Sequence, residues 1–339
     1  PPVIAGLLLA AAIAQTQPPK TWTLLAGGDL MLNAVSAKKN PFEAVRNAIS
    51  GADIAYANLE IPLTSKSGAT PRKSLADRKA KRQFVLKADP AHAAHLADVG
   101  FDVVSLGNNH AMDYGAAGLA EMLGLLDGLG IVYSGAGNNW AEAMRPAIVS
   151  VPGGPKVAFY SMLAFKTRSA LRTCWPATTT GPGIGVLAFD ATINDSSKAT
   201  LRSLVTRAKR QADMVVFALH WGTERRTVPD PYQIALGRAT VDAGADLVLG
   251  AHPHVLQGSE VYKERPILYS MGNLISPLGG ETALYKLSYE RTKFKKLEVL
   301  PVRYGSSGLA TLSEKQAASA IKRVAGLDAS LARAYPVPK

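Results

Sequence analysis

His252 and His254 flank Pro253 in the stretch Ala245–Val255, ADLVLGAHPHV. Leu247, Val248 and Leu249 form an unbroken apolar run, the mark of a strand covered on both faces. Gly250 ends the run, and proline disfavours helix at and just before its own position. Two imidazoles at i and i+2 on an extended chain project to one side. Just past the carboxyl end of a strand, that is where open α/β sheets place their sites. In a chain with six histidines, such a pair points to metal binding or proton transfer.

Other polar residues close apolar runs in the same way. Asp29 follows Trp22–Ala26 and two glycines; Asn58 and Glu60 end Asp53–Leu59. Asn108, Asn109 and His110 follow Asp102–Leu106, and His220 follows Met214–Leu219. Carboxylates, amide oxygens and imidazoles form the donor set of a divalent transition-metal site. Cys174 is the only cysteine, so a thiolate-built structural zinc site is excluded. Two ions about 3.5–4 Å apart, sharing one carboxylate, polarise an oxygen from both sides and suit attack on phosphorus. Asp113 reads equally as a helix cap or as the partner that orients His110. His92 and His95 sit in an Ala-rich helical stretch and read as structural.

These residues need elements to hold them. Helices are predicted at Pro41–Ser50, Pro90–Val99, Ala116–Leu129, Ser196–Gln211, Pro231–Ala243 and Glu314–Ala334. They alternate with the strands above. Ala147–Val151 with Lys156–Met162, and Ser259–Tyr262 with Ile267–Met271, read as hairpins. Leu284–Tyr289 and Leu297–Tyr304 add strands, while Pro62–Arg82 and residues 166–186 read as loops, the second beside the site. The pattern predicts an α/β core built on two sheets and closed as one domain, residues 21–305, with a helical extension at 306–339.

Composition bears on location and partner. The net charge is +12, which favours an anionic polymer, acidic membrane surface or nucleic acid over a neutral partner. No nucleic-acid recognition motif or basic recognition helix is present, so nucleic acid ranks last. Lys66, Arg72, Lys73, Arg78, Lys79, Lys81 and Arg82 crowd the Pro62–Arg82 loop against Asp77 alone. They are the predicted anion-contact surface, with Arg291–Lys296 as a second; a solvated basic face is the plainer reading. Val3–Ala14 is an apolar run of signal length, and Ala12-Ile13-Ala14 offers a cleavage pattern before Gln15. Residues 1–20 are therefore expected to be an export signal or an uncleaved anchor, placing the protein in the periplasm or cell envelope.

The motifs GGDLML, ANLEIPL, LGNNHAMDYG, LHWGTE, GAHPHVLQG and YSMGNLI occur in that order. Together they resemble the CapA/PgsA poly-γ-glutamate capsule synthesis family, within the calcineurin-like metallophosphoesterase superfamily. The resemblance runs from about Thr23 to Ser276 and implies the superfamily's four-layer αββα fold. It also implies one or two divalent ions, with Mn, Fe or Zn favoured over Mg. Asp29 and His254 would hold the first ion, Glu60 would bridge, and Asn109, His220 and His252 would hold the second. His110, with Asp113 beside it, would contact the substrate oxyanion or protonate the leaving group. Asn273 would line the same cleft. The superfamily's Asp-x-His is here Asp29-Leu30-Met31, and its bridging Asp is Glu60. The implied function is synthesis or export of an anionic capsule polymer, with a hydrolase-type metal site. The alternative is a non-catalytic polymer-binding subunit of a membrane synthesis complex.

Overall fold

The computed structural model describes residues 21–165, 173–187 and 193–337. The expected export or anchor segment, and 166–172 of the expected loop, lie outside the described residues. The strands are β1 (Thr21–Leu30), β2 (Ile54–Leu59), β3 (Val103–Ser105), β4 (Val132–Ser134), β5 (Ala136–Gly137), β6 (Ala147–Ser150), β7 (Lys156–Leu163), β8 (Gly183–Ile184), β9 (Met214–His220), β10 (Leu247–Ala251), β11 (Ser259–Tyr262), β12 (Arg265–Leu268), β13 (Asn273–Ile275), β14 (Gly280–Glu290), β15 (Lys293–Gly305) and β16 (Gly308–Thr311). The α-helices are α1 (Arg46–Ser50), α2 (Leu75–Lys79), α3 (His92–Val99), α4 (Gly115–Gly128), α5 (Trp140–Ala143), α6 (Asp195–Ala208), α7 (Pro231–Asp242) and α8 (Glu314–Ala334).

One sheet has the order β16-β15-β14-β1-β2-β3-β4, with β13 also pairing β1. Its β1–β4 half is parallel, and β14–β16 form an antiparallel meander. The other sheet has the order β11-β12-β10-β9-β7-β6, parallel through β12, β10, β9 and β7 with antiparallel edges.

Period-2 alternation sorts each strand's side chains between two cores. Trp22, Leu24 and Ala26 of β1 meet Met214, Val216 and Ala218 of β9 between the sheets. Leu25, Ala55 and Val104 face outward onto Ile49, Leu96, Leu119 and Leu123 of α1, α3 and α4. Val215, Phe217 and Leu219 face outward onto Leu201, Leu204 and Ile234 of α6 and α7. The result is a helix, sheet, sheet, helix sandwich, as the alternation and the family resemblance imply. The terminal helix α8 opens on a Ser313–Gln316 capping box. Its Val324 enters the inter-sheet core, and Asp328 accepts hydrogen bonds from Ser259 N and Oγ. It therefore packs across the edges of both sheets.

The predicted helix Pro41–Ser50 is a 3₁₀ turn, Glu43–Val45, running into the short α1. The Pro62–Arg82 loop contains α2, capped by Ser74, and a bridge between Leu63 and Ala88 closes its base.

Both sheets aim the carboxyl ends of their parallel strands at one place. The join is tight at Gly28: Asp29 N–H donates to the Gly272 carbonyl at 2.9 Å. A Cβ on Gly28 would stand 1.9 Å from that oxygen. Gly28→Ala is therefore expected to lower stability by about 1–3 kcal/mol or more, through backbone displacement. Urea unfolding of the two proteins tests this, and an unchanged midpoint would contradict the close approach.

Candidate metal centre

Glu60 follows β2 and is fully buried, and neither of its carboxylate oxygens has a hydrogen-bond partner. Its Oε1 lies 3.8 Å from His220 Nε2 and 3.6 Å from His254 Nε2. An unpaired buried carboxylate is among the costliest arrangements a fold can hold. His252 Nδ1 is likewise buried and unpartnered. Orphaned donor atoms of this kind fit a cation that binds them.

Among the described residues, three triads are placed so that they could hold an ion, with one ligand atom per residue and all atoms of a triad within 4.8 Å of one another. They are Glu60–His220–His252, Asp29–Glu60–His254 and Glu224–His252–His254. Asn109 joins the first, since its Oδ1 lies 2.8 Å from His220 Nε2. Thus Asp29, Glu60, Asn109, His220, His252 and His254 come together from five separate strand ends. Glu224 was not read as a ligand from the sequence, where it is one acid in LHWGTE.

Asp29 differs from Glu60 in being already hydrogen-bonded. Its Oδ1 accepts from Asn58 Nδ2 at 2.7 Å, and its Oδ2 from His252 N–H at 3.2 Å. His254 Nδ1 lies 2.9 Å from Asn273 Oδ1 and 3.2 Å from Asp29 Oδ2. Both are acceptors, so Nδ1 carries the hydrogen and Nε2 is turned to Glu60. Such an outer partner fixes the tautomer and aims the ligating nitrogen. Asn58 and Asn273, both at strand ends, are thus organisers of the centre. The Phe165 ring lies tilted against His252, with centroids 4.8 Å apart and planes at 55°, and helps to cover it.

The geometry corrects the extended-chain expectation for the histidine turn. His252 has φ +96° and His254 φ +58°, both left-handed. Side-chain-bearing residues take such values at a cost of about 1–3 kcal/mol each. The rings still converge, with centroids 5.8 Å apart, because Asp29 and Asn273 hold the turn in place.

Burial pushes the His220 and His252 imidazoles well below the usual histidine range, aided by His254's charge. Both are neutral and able to bind a metal. Burial also raises Glu60 well above the ordinary carboxylate value. Burial alone would lower His254, but the Glu60 and Asp29 carboxylates outweigh it and push it up to about 10. Without an ion, the Glu60–His254 pair therefore keeps a proton.

His110 stands beside this cluster. Its Nδ1 lies 2.6 Å from Asp113 Oδ2, and Lys73 Nζ lies 2.5 Å from Asp113 Oδ1. Asp113 also accepts from Leu86 N–H at 2.8 Å. So Asp113 orients His110 and leaves Nε2 as the free nitrogen. Lys73 corrects its expected place on the anion-contact surface, for its side chain is 2% exposed and turned inward. Lys66, Arg72, Lys79, Lys81 and Arg82 are exposed, and Arg78 is half-buried. Arg72 lies over Trp175 and donates to the Cys174 carbonyl; Arg82 pairs with Asp77.

A sandwich of two sheets whose parallel strands end together at one site is the metallophosphoesterase-like fold. A solved phosphatase from Mycoplasma pneumoniae shares this fold with a TM-score of 0.51 at 13% identity, covering 84% of this chain and 94% of that one. The profile of the bacterial capsule synthesis proteins, PGA_cap, matches residues 23–278, and the chain belongs to that family. It is 35% identical to the capsule biosynthesis protein CapA of Bacillus anthracis over 202 residues, 60% of this chain and 46% of that protein. It is 30% identical to the PGA biosynthesis protein CapA of Bacillus subtilis over 265 residues, 77% of this chain and 64% of that one. The matches thus span about half to two thirds of these relatives' length.

Removing one partner of a buried ion pair leaves the other charge unmet, typically at about 3–5 kcal/mol. Lys73→Met is expected to destabilise by that order, and adding Asp113→Asn to recover part of it. Denaturant titration of the single and double variants checks this; a single variant as stable as wild type would show that the ammonium is dispensable.

Proposed function

We propose that this protein acts in the cell envelope in the synthesis or export of an anionic capsule polymer of the poly-γ-glutamate type. Its site is then a divalent-metal centre of hydrolase type. The observation that carries the site reading is Glu60, a fully buried carboxylate with no partner on either oxygen. Family membership and the capsule and PGA biosynthesis roles named for the two CapA relatives support the polymer.

Glu60 would serve as the shared ligand, with Asp29 and His254 on one side and Asn109, His220 and His252 on the other. Imidazole nitrogens among the carboxylate and amide oxygens suit Mn, Fe or Zn better than Mg. Bound divalent ions supply Lewis acidity and a nucleophilic water at neutral pH. His110 moves a proton at Nε2 while Asp113 holds its Nδ1–H and stabilises the protonated ring. Burial and the Lys73 charge lower its proton affinity, so the resting imidazole is neutral. The outward basic residues Lys66, Arg72, Lys79, Lys81 and Arg82 would contact the polymer, while residues 1–20 direct export or anchoring.

Metal analysis of the purified protein and turnover of an aryl phosphate with added Mn²⁺ test the centre. Wild type is expected to bind one or two ions, Glu60→Gln and His252→Ala to lose binding, and His110→Ala to keep metal but lose turnover. Turnover that survives all three changes would end the hydrolase reading. Metal uptake must displace the proton held by Glu60 and His254. Protons compete with the ion, so affinity is expected to rise with pH below about 10, by up to about tenfold per unit for each proton released. Calorimetry in buffers of different ionisation enthalpy counts those protons; no release would contradict the protonated pair.

Polymer contact is tested separately. Binding to poly-γ-glutamate is expected to weaken as salt rises from 0.05 to 0.5 M, and with Lys66→Glu and Lys79→Glu, because exposed charges are screened. Salt-independent binding would remove the basic loop from the contact surface.

A further inference from the structure

The turn after β9 carries a carboxylate that the six-residue ligand set leaves unused. Gly222 opens that turn at φ +91°, and a Cβ there would fall 2.7 Å from the Gln233 amide. Thr223 Oγ1 donates to Asp230, the cap of α7, at 2.7 Å. On the other side, Arg225 N–H donates to the Pro253 carbonyl at 2.8 Å. Gln257 Nε2 donates to the Arg226 carbonyl at 2.8 Å. Glu224 lies between these fastenings, tied to α7 through Thr223 and to the histidine turn through Arg225. Although exposed, its carboxylate is grouped with His252 and His254 within 4.8 Å.

A carboxylate near solvent is not by itself a site. The second observation is His252, a member of the same group, 6% exposed and with its Nδ1 lacking any hydrogen-bond partner. The three triads are also linked: Glu60 joins the first two, and His252 and His254 each connect one of those to Glu224. Glu60 closes the cluster from beneath, and Glu224 faces it from the solvent side.

We propose that Glu224 is a further metal ligand of this chain, closing the centre across His252 and His254 to a divalent cation that takes nitrogen and oxygen donors. This rests on the metal reading of the Glu60 site. An exposed ligand on a fastened turn completes the shell from the side by which ions and substrate oxygens arrive.

Mn²⁺ is titrated into the ion-free full chain, with free ion followed by electron paramagnetic resonance, for wild type and Glu224→Gln at 0.1 M and 1 M NaCl. Coordination predicts that the variant binds at least one ion about 10-fold or more weaker. That loss persists at 1 M salt, because a direct bond is not screened as a distant charge is. Equal affinity overturns the proposal, and so does a loss that vanishes at high salt, which marks a field effect alone. A wild type that takes up no Mn²⁺ removes the metal reading and this inference together. A wild type that binds, with an unaffected variant, removes only Glu224. Circular dichroism of the variant, expected to match wild type, separates ligand loss from misfolding.

Discussion

Burying the Glu60 carboxylate with both oxygens unpaired is the condition to which the rest of the structure answers. A charged group so placed cannot be stabilised by its own loop; only neighbours delivered from elsewhere can do it. The two parallel half-sheets deliver them. β1, β2 and β3 end on one side of Glu60, and β9 and β10 end on the other. Packing the sheets face to face is what lets residues from five strand ends share one small volume. The inter-sheet core of Trp22, Tyr56, Phe159, Met214 and Leu249 sets that volume.

Backbone detail then decides which atoms meet. Gly28 permits β1 to lie against Gly272, so Asp29 can hold the His252 amide. That bond in turn holds the histidine turn in a left-handed course which side chains ordinarily avoid. At the centre, left-handed backbone at His252 and His254 thus coincides with unpartnered buried atoms on Glu60 and His252.

Much of this was legible in the chain. Apolar runs closing on Asp29, Glu60, Asn109, His220 and His252 marked the strand ends and hence the site. Alternation of strands and helices marked the layers. What misled was local plausibility. Lys73 belongs to a run of basic residues, and such runs are usually solvated. Its inward turn depends on Asp113, 40 residues away. Pro253 argued for an extended histidine turn, but the amide that bends it is held by Asp29, 223 residues earlier. Glu224 gave no signal because a lone acid after Trp-Gly-Thr has no period or partner in the sequence. Each difference traces to a contact across long sequence separation, which pattern reading does not contain.

The two carboxylates at the centre are chemically unequal, and the inequality explains how the ion-free chain tolerates Glu60. Asp29 is satisfied by Asn58 and the His252 amide, so it organises before it binds. Glu60 has no hydrogen bond, and the nearest imidazole nitrogens are those of His254 at 3.6 Å and His220 at 3.8 Å. His254 keeps Nδ1–H on Asn273 and Asp29, so the proton that the two carboxylates hold on it, with the pKa pushed up to about 10, sits on Nε2, towards Glu60. That proton stands where a cation's charge is needed. The imidazolium and the carboxylate thus face each other from a turn whose other contacts, to Asn273 and Asp29, are already made.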